Sequence, residues 1–320
     1  MVKASACGKL MLFGEHAVVY SRPCIVASVD QSMSVILKKR NDDKIILNAP
    51  EKNIENYSFP ISELRKSHPK EVSFVLMAVS NFFDKYGVRS GLEIKTCSQF
   101  SDRFGLGSSS AVTVSAIKGL TELFGIKISK RDLFDLSYKT VIDIQKLGSG
   151  FDIASAVYGG VLYFFTGGRV IEPLKIKDLP LVIGYSGVKA DTSTLIKKVA
   201  GKIKRNPLEI NKIFNEIEKI VNLAGIEIEK RNWPKVGELM NLNQNLLKKL
   251  GVSTKELDNL IEAALKAGAY GAKLSGAGGG DCMIALADKR KQGQVKKAIE
   301  WAGGKVVEAK ISTQGVVCIK

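Results

Sequence analysis

Three glycine-rich segments hold the residue types best suited to chemistry. In Phe104-Gly-Leu-Gly-Ser-Ser-Ser110, two glycines lead into serines just ahead of an apolar pattern of helical period. A glycine turn that opens a helix gathers unpaired backbone N–H groups and the positive end of the helix dipole at one spot, which favours a phosphate. Serine hydroxyls there can also ligand Mg2+; equally, the serines can simply cap the helix. Neither G-x-x-x-x-G-K-[ST] nor a complete G-x-G-x-x-G occurs, so a standard P-loop and a dinucleotide fingerprint are both excluded. Gly107-Ser-Ser-Ser-Ala111 approaches a nucleophile elbow with Ser109 as nucleophile, but its final glycine is missing. The chain's two histidines, His16 and His68, also lie too early to serve such a hydrolase.

The second segment, Gly8-Lys-Leu-Met-Leu-Phe-Gly-Glu-His16, sets Lys9 at the start of an apolar run and Glu15-His16 just past a glycine. Taken singly, Lys9 reads as a snorkelling lysine and Glu15-His16 as a turn cap. The third, Lys273-Leu-Ser-Gly-Ala-Gly-Gly-Gly-Asp281, has four glycines in five residues. That composition suits a backbone that must approach a phosphate or another loop closely, and it also suits a flexible hairpin.

These segments need elements to position them. Period-two apolar patterns predict strands in Lys9–Tyr20, Ile25–Leu37 and Gly91–Cys97. A helix is predicted from Ser109 to near Gly125, a second over Asp132–Asp143, and a strand-rich passage over Asp152–Thr166. A Pro-marked connection then leads to a strand at Leu181–Tyr185, and the domain boundary is expected there, with domains at 1–174 and 175–320. The second half reads as helices at Pro207–Lys230 and Val236–Leu250, two of which should pack together. A capping box at Ser253-Thr-Lys-Glu256 opens another. Strands flanking the third glycine segment, a helix near Val295–Trp301, and strands at Lys305–Ala309 and Val316–Ile319 predict an antiparallel sheet covered on one side.

Composition bounds the function classes. The 320 residues, 45% hydrophobic and 25% charged, match folded soluble domains and leave room for a sizeable core. No apolar run approaches a membrane span and no secretory leader is recognised, so a cytoplasmic location is expected. Five scattered cysteines suggest neither a disulfide framework nor a zinc site. The formal charge of +16 draws anions, but its lysines are scattered without interleaved aromatics, as on solvated helix faces.

The three segments, in this order and spacing, resemble the signature of the GHMP kinase superfamily over nearly the whole chain. Within it, the first motif, Ser186–Thr192, Gly237–Gln244 and Gly271–Gly280 look most like mevalonate kinases, while Gln145–Gly159 looks more like phosphomevalonate kinases. The resemblance implies an α+β fold of two domains with the active site in the cleft between them. The first would be a ribosomal-protein-like β-α-β domain and the second a ferredoxin-like α/β sandwich. It also implies that Gly105, Leu106, Gly107, Ser108, Ser109 and Ser110, with Gly276 and Gly278, bind ATP phosphates, and that Ser109 ligands Mg2+. Asp152 falls on the catalytic aspartate, Lys9 on the lysine beside it, and Glu15, His16 and Thr192 on substrate-side positions. The family's second metal ligand is a glutamate on the preceding helix; the residue considered for it here is Asp143, nine before Asp152, a shorter carboxylate.

The chemistry so implied is transfer of the γ-phosphate of Mg-ATP to the 5-hydroxyl of mevalonate, with Asp152 accepting the alcohol proton and Lys9, loop amides and Mg2+ neutralising charge. A phosphomevalonate kinase is the alternative, needing further Lys or Arg such as Lys146 or Lys189 near the acceptor. A basic nucleic-acid-binding protein is a remote one. The expected partners are thus ATP and mevalonate, with a homodimer left open and neither membrane nor nucleic acid expected.

Overall fold

The computed structural model describes residues 1–100 and 104–319. Two sheets organise it. The larger has eight strands in the order β12-β1-β2-β5-β3-β4, with β6 pairing β2 and β7 pairing β6. Its strands are β1 (Val2–Phe13), β2 (Pro23–Arg40), β3 (Lys44–Ala49), β4 (Ile54–Pro60), β5 (Gly91–Ser98), β6 (Val161–Phe165), β7 (Val170–Pro173) and β12 (Val317–Ile319). The smaller is a four-stranded antiparallel sheet, β11-β8-β10-β9, built from β8 (Leu181–Tyr185), β9 (Gly271–Ser275), β10 (Cys282–Leu286) and β11 (Lys305–Val307).

Alternation along β1 puts Val2, Ala4 and Ala6 inward and Lys3 outward, the period-two pattern of a strand with one wet face. Strand β4 and helix α1 (Ser73–Tyr86) lie between β3 and β5, which pair in parallel. Helix α2 (Ser108–Phe124) packs on β1 and β2, and α3 (Lys130–Gln145) and α4 (Phe151–Tyr158) pack against it. In the second half come α5 (Thr192–Arg205), α6 (Pro207–Glu229), α7 (Trp233–Leu250), α8 (Lys255–Lys266) and α9 (Gln292–Trp301). The expected packing of two of these helices is present between α6 and α7. Lys197, Lys198, Lys204 and Arg205 of α5 face solvent.

Four sequence expectations change. The passage from Asp152 to Thr166 is half helix: α4 precedes β6, because a short apolar run such as Ile153-Ala-Ser-Ala-Val157 suits a buried helix as well as a strand, and tertiary burial decides. The strand read from Lys9 to Tyr20 ends at Phe13, where Gly14 and His16 turn the chain into a 3-10 turn at Ala17–Tyr20. The cap of α8 is Thr254, which accepts from Leu257 N–H, while Ser253 donates to Asp258. The last strand leaves the smaller sheet: β12 pairs β1, and the chain before it is tied to the large sheet by Asp30 N–H to the Lys310 carbonyl and Ser312 N–H to the Ser28 carbonyl. It covers an edge that β1 would otherwise expose. No helix among the described residues is long and apolar enough to cross a membrane.

Candidate functional site

The first and second glycine segments meet through β1. The register of β1 against β2 shifts between Cys7 and Gly8, and just past the shift Lys9 N–H donates to the Leu106 carbonyl (2.9 Å). The Lys9 ammonium donates to the Gly105 carbonyl (2.7 Å). The loop carbonyls thus hold the base and the tip of one side chain.

Gly107 precedes α2 with φ of 82°, a left-handed conformation that costs a residue with a β-carbon. A β-carbon there would sit 3.2 Å from Lys9 Cγ and 3.8 Å from Asp152 Cβ, so glycine also keeps the space between these side chains open. The first helical bond of α2 runs from Ala111 N–H to the Gly107 carbonyl, which places the amides of Ser108, Ser109 and Ser110 ahead of it at the positive helix end. Asp152 stands in the first turn of α4, where a carboxylate is favoured by the dipole. Its oxygens accept from Ser110 Oγ (2.5 Å) and Ile153 N–H (3.1 Å).

These groups open on a cavity of about 330 Å³. Lys9, His16, Gly105, Leu106, Gly107, Ser108, Ser109, Asp152, Thr192 and Gly276 line it, so most of the expected residues come together. Burial pushes the Lys9 ammonium below the usual lysine range, partly opposed by the charges of Asp152 and Asp281. Burial likewise lowers His16, whose Nε2–H donates to the Ala277 carbonyl (2.8 Å).

Four expected residues are not among those lining this cavity. Glu15 is fully buried and ion-paired with Lys273, itself fully buried, so it reaches no acceptor. Burial pushes both members toward neutrality, opposed in part by each one's charge on the other. Gly278 turns away from the cavity because Val252 lies against it; a β-carbon would fall 2.1 Å from the Val252 carbonyl, and neighbouring Gly279 N–H donates to that oxygen. Ser110 stays in the phosphate loop but commits its hydroxyl to Asp152.

Asp143 is the clearest departure. The cavity is lined from α3 by Tyr138, Val141 and Gln145, and Asp143 lies two residues past Val141, roughly 200° around the helix. It accepts from Asn81 (2.9 Å) and Lys139 (2.6 Å) outside the cleft, and although partial burial works the other way, these donors hold its carboxyl below the usual range. Lys146 faces the same outer side and donates to the Asp143 carbonyl, whereas Lys189 lines the cleft.

Two features were not assigned from the sequence. A second cavity of about 450 Å³, with Met33, Ala49, Glu51, Phe74, Thr96 and Val112 in its walls, shares Ser108, Ser109 and Lys189 with the first. The helix N-terminus therefore stands as a partition between two chambers. Asp281, the non-glycine end of the third segment, enters the first chamber beside Gly105. Its cue was present as a carboxylate closing a glycine run, but composition alone gave it no direction.

The GHMP kinases N terminal domain matches residues 73–160 and the GHMP kinases C terminal domain matches residues 226–303. The mevalonate kinase of Thermococcus sibiricus is 36% identical over 98% of this chain and 97% of its own. Among solved structures, the Methanococcus jannaschii mevalonate kinase superposes with a TM-score of 0.83 at 28% identity, covering 97% of this chain and 98% of that one. The Lin0012 protein of Listeria innocua gives a TM-score of 0.90 at 22% identity, over 100% and 99% of the two chains, a likeness of fold.

Proposed function

The chain belongs to the GHMP kinase family, and from that premise we propose that its cleft transfers the γ-phosphate of Mg-ATP to the 5-hydroxyl of mevalonate. The observation that carries the reading is the lining of the first cavity. One side holds a helix N-terminus, Lys9 and Asp152, the equipment for moving a phosphoryl group; much of the remainder is apolar, with Val18, Val19, Val141, Leu147 and Ile196. Among the described residues, Lys189 is the single Lys or Arg in that lining beyond Lys9, and Lys146 lies outside. An acceptor that is itself a phosphate needs several charge-assisted donors, whereas a branched aliphatic alcohol with one carboxylate needs apolar walls and one cation.

In this reading the nucleotide base occupies the second chamber and its phosphates cross Ser108 and Ser109 into the first. The amides of the first turn of α2 bind them, and Lys9 draws electron density off the transferring group. Asp152 receives the hydroxyl proton as the oxygen approaches phosphorus; Ser110 holds one carboxylate oxygen and leaves the group oriented. His16 and Thr192 border the acceptor.

The donors suit a divalent ion that arrives with the nucleotide. Ser109 and Asp152 line one cavity, while no group of three His, Cys, Asp or Glu side chains among the described residues is arranged to hold an ion alone. Mg2+ fits such a site because it retains several waters and binds through substrate phosphates; when bound it supplies charge neutralisation at those oxygens. Asp143 takes no part.

The test is ADP release from Mg-ATP with mevalonate and 5-phosphomevalonate offered separately. Turnover is expected with mevalonate alone. Turnover confined to phosphomevalonate would transfer the acceptor assignment to the stretch around Gln145–Gly159, and silence with both would end it.

A further inference from the structure

Asp281 has three properties that no role described so far uses. It follows Gly278-Gly279-Gly280 yet carries a side chain at φ of 56°, the left-handed region where a β-carbon is disfavoured. Such strain persists where the surroundings over-determine it, and it collects at functional sites. A glycine at this position would take the same conformation without the penalty, so the carboxylate itself is the feature to explain.

Its bonds give the explanation. Asp281 N–H donates to the Val188 carbonyl (2.7 Å), the Asp281 carbonyl accepts from Ser186 N–H (2.9 Å), and Oδ1 accepts from Ala190 N–H (3.0 Å). One residue thereby ties the turn between β8 and α5 at three points. Its other oxygen rests against the phosphate loop: a β-carbon on Gly105 would lie 2.5 Å from Oδ2. Lys189 and Thr192, on the held segment, both line the catalytic chamber. Burial raises the carboxyl, opposed by the Ala190 amide and the charges of Lys9 and Lys189, so it sits among the chamber's cations.

We infer that Asp281 is a positioning residue, a clasp that holds the 186–190 turn, and with it Lys189 and Thr192, at a fixed distance from the phosphate loop. The essential element is the acceptor oxygen facing Ala190 N–H. The inference deepens the kinase reading and rests on it for its kinetic consequence.

Two variants separate this role from a structural or purely electrostatic one. Asp281→Asn keeps an acceptor for Ala190 and removes the charge; Asp281→Gly removes the acceptor and relieves the strained φ. The glycine variant is expected to melt no lower than the parent, to lose about ten- to hundredfold in kcat/KM for mevalonate, and to exchange amide deuterium faster across 186–195. The asparagine variant is expected to stay within about threefold of the parent, as a retained contact requires, with unchanged exchange. Parental kinetics and exchange in the glycine variant would overturn the clasp, as would an asparagine variant that falls as far as the glycine one. Should the glycine variant fail to fold, Asp281→Ala takes its place with the same expected losses. If the parent turns over no mevalonate, the kinase reading fails by itself, and the exchange comparison still decides the clasp.

Discussion

Lys9 and Lys273 each sit on a strand of a glycine-rich segment and each has a carboxylate as a charged neighbour, and β1 and β9, which carry them, meet where Ser275 Oγ bonds to both the N–H and the carbonyl of Met11. Lys9 opens on the chamber, anchored by the Gly105 carbonyl, with Asp152 and Asp281 as charged neighbours. Lys273 is sealed: its ammonium is spent on Glu15 and on the Leu274 carbonyl (2.6 Å). Even so the sealed site is not fully satisfied. Glu15 Oε2 and Asn243 Nδ2 are buried without a partner, although Asn243 Oδ1 accepts from Gly14 N–H beside them. Similar side chains are thus set for chemistry in one place and for architecture in the other, and access to an open cavity makes the difference. A lysine that can exchange its carbonyl contact for a phosphate can act; one locked against a carboxylate holds two sheets in register.

The contrast can be broken from either side. Asp152→Asn keeps the shape of the chamber and removes the proton acceptor. It should lower kcat about 10²–10⁴-fold with thermal stability nearly intact, measured by steady-state ADP release beside a melting curve. An effect under tenfold would show the open assembly to be architectural too. Lys273→Met acts on the sealed side, where it strands a buried carboxylate; a loss of about 3–5 kcal/mol in urea unfolding is expected. Adding Glu15→Leu should recover most of that stability, since a well-packed apolar pair replaces a desolvated ionic one. No recovery would mean that Glu15 serves more than Lys273. The smallest change is expected from Asp143→Asn at the exposed pair with Lys139. Exposed pairs contribute about 0–1 kcal/mol, so kcat and the Mg2+ dependence of turnover should move less than about twofold. A strong shift in Mg2+ dependence would bring Asp143 back to the metal.

Much of the catalytic side was legible from local rules. Glycines before serines before a 3.6-residue apolar period predicted a phosphate-binding helix start, and α2 begins there at Ser108 and ends at Phe124 before Gly125. The side of α3 that Asp143 takes came only from the structure: Tyr138, Val141 and Gln145 line the cavity, and Asp143 is out of phase with them. Other assignments were not recoverable from spacing. Glu15 and His16 are neighbours in the chain, yet one is sealed against Lys273 and the other borders the cavity. Gly276 and Gly278 differ in the same way, one at the cavity and one pressed on Val252.

The amino-acid sequence alone determined many of the elements, the glycine turn that opens α2 and the resemblance to the family, because backbone freedom at glycine, helix capping and apolar periodicity act over a few residues. Tertiary structure decided which polar side chains work. Burial, partner and cavity access for Glu15, Asp281 and Lys273 depend on segments more than 90 residues away, and desolvation, set by all of those segments together, assigns each charge to chemistry or to support.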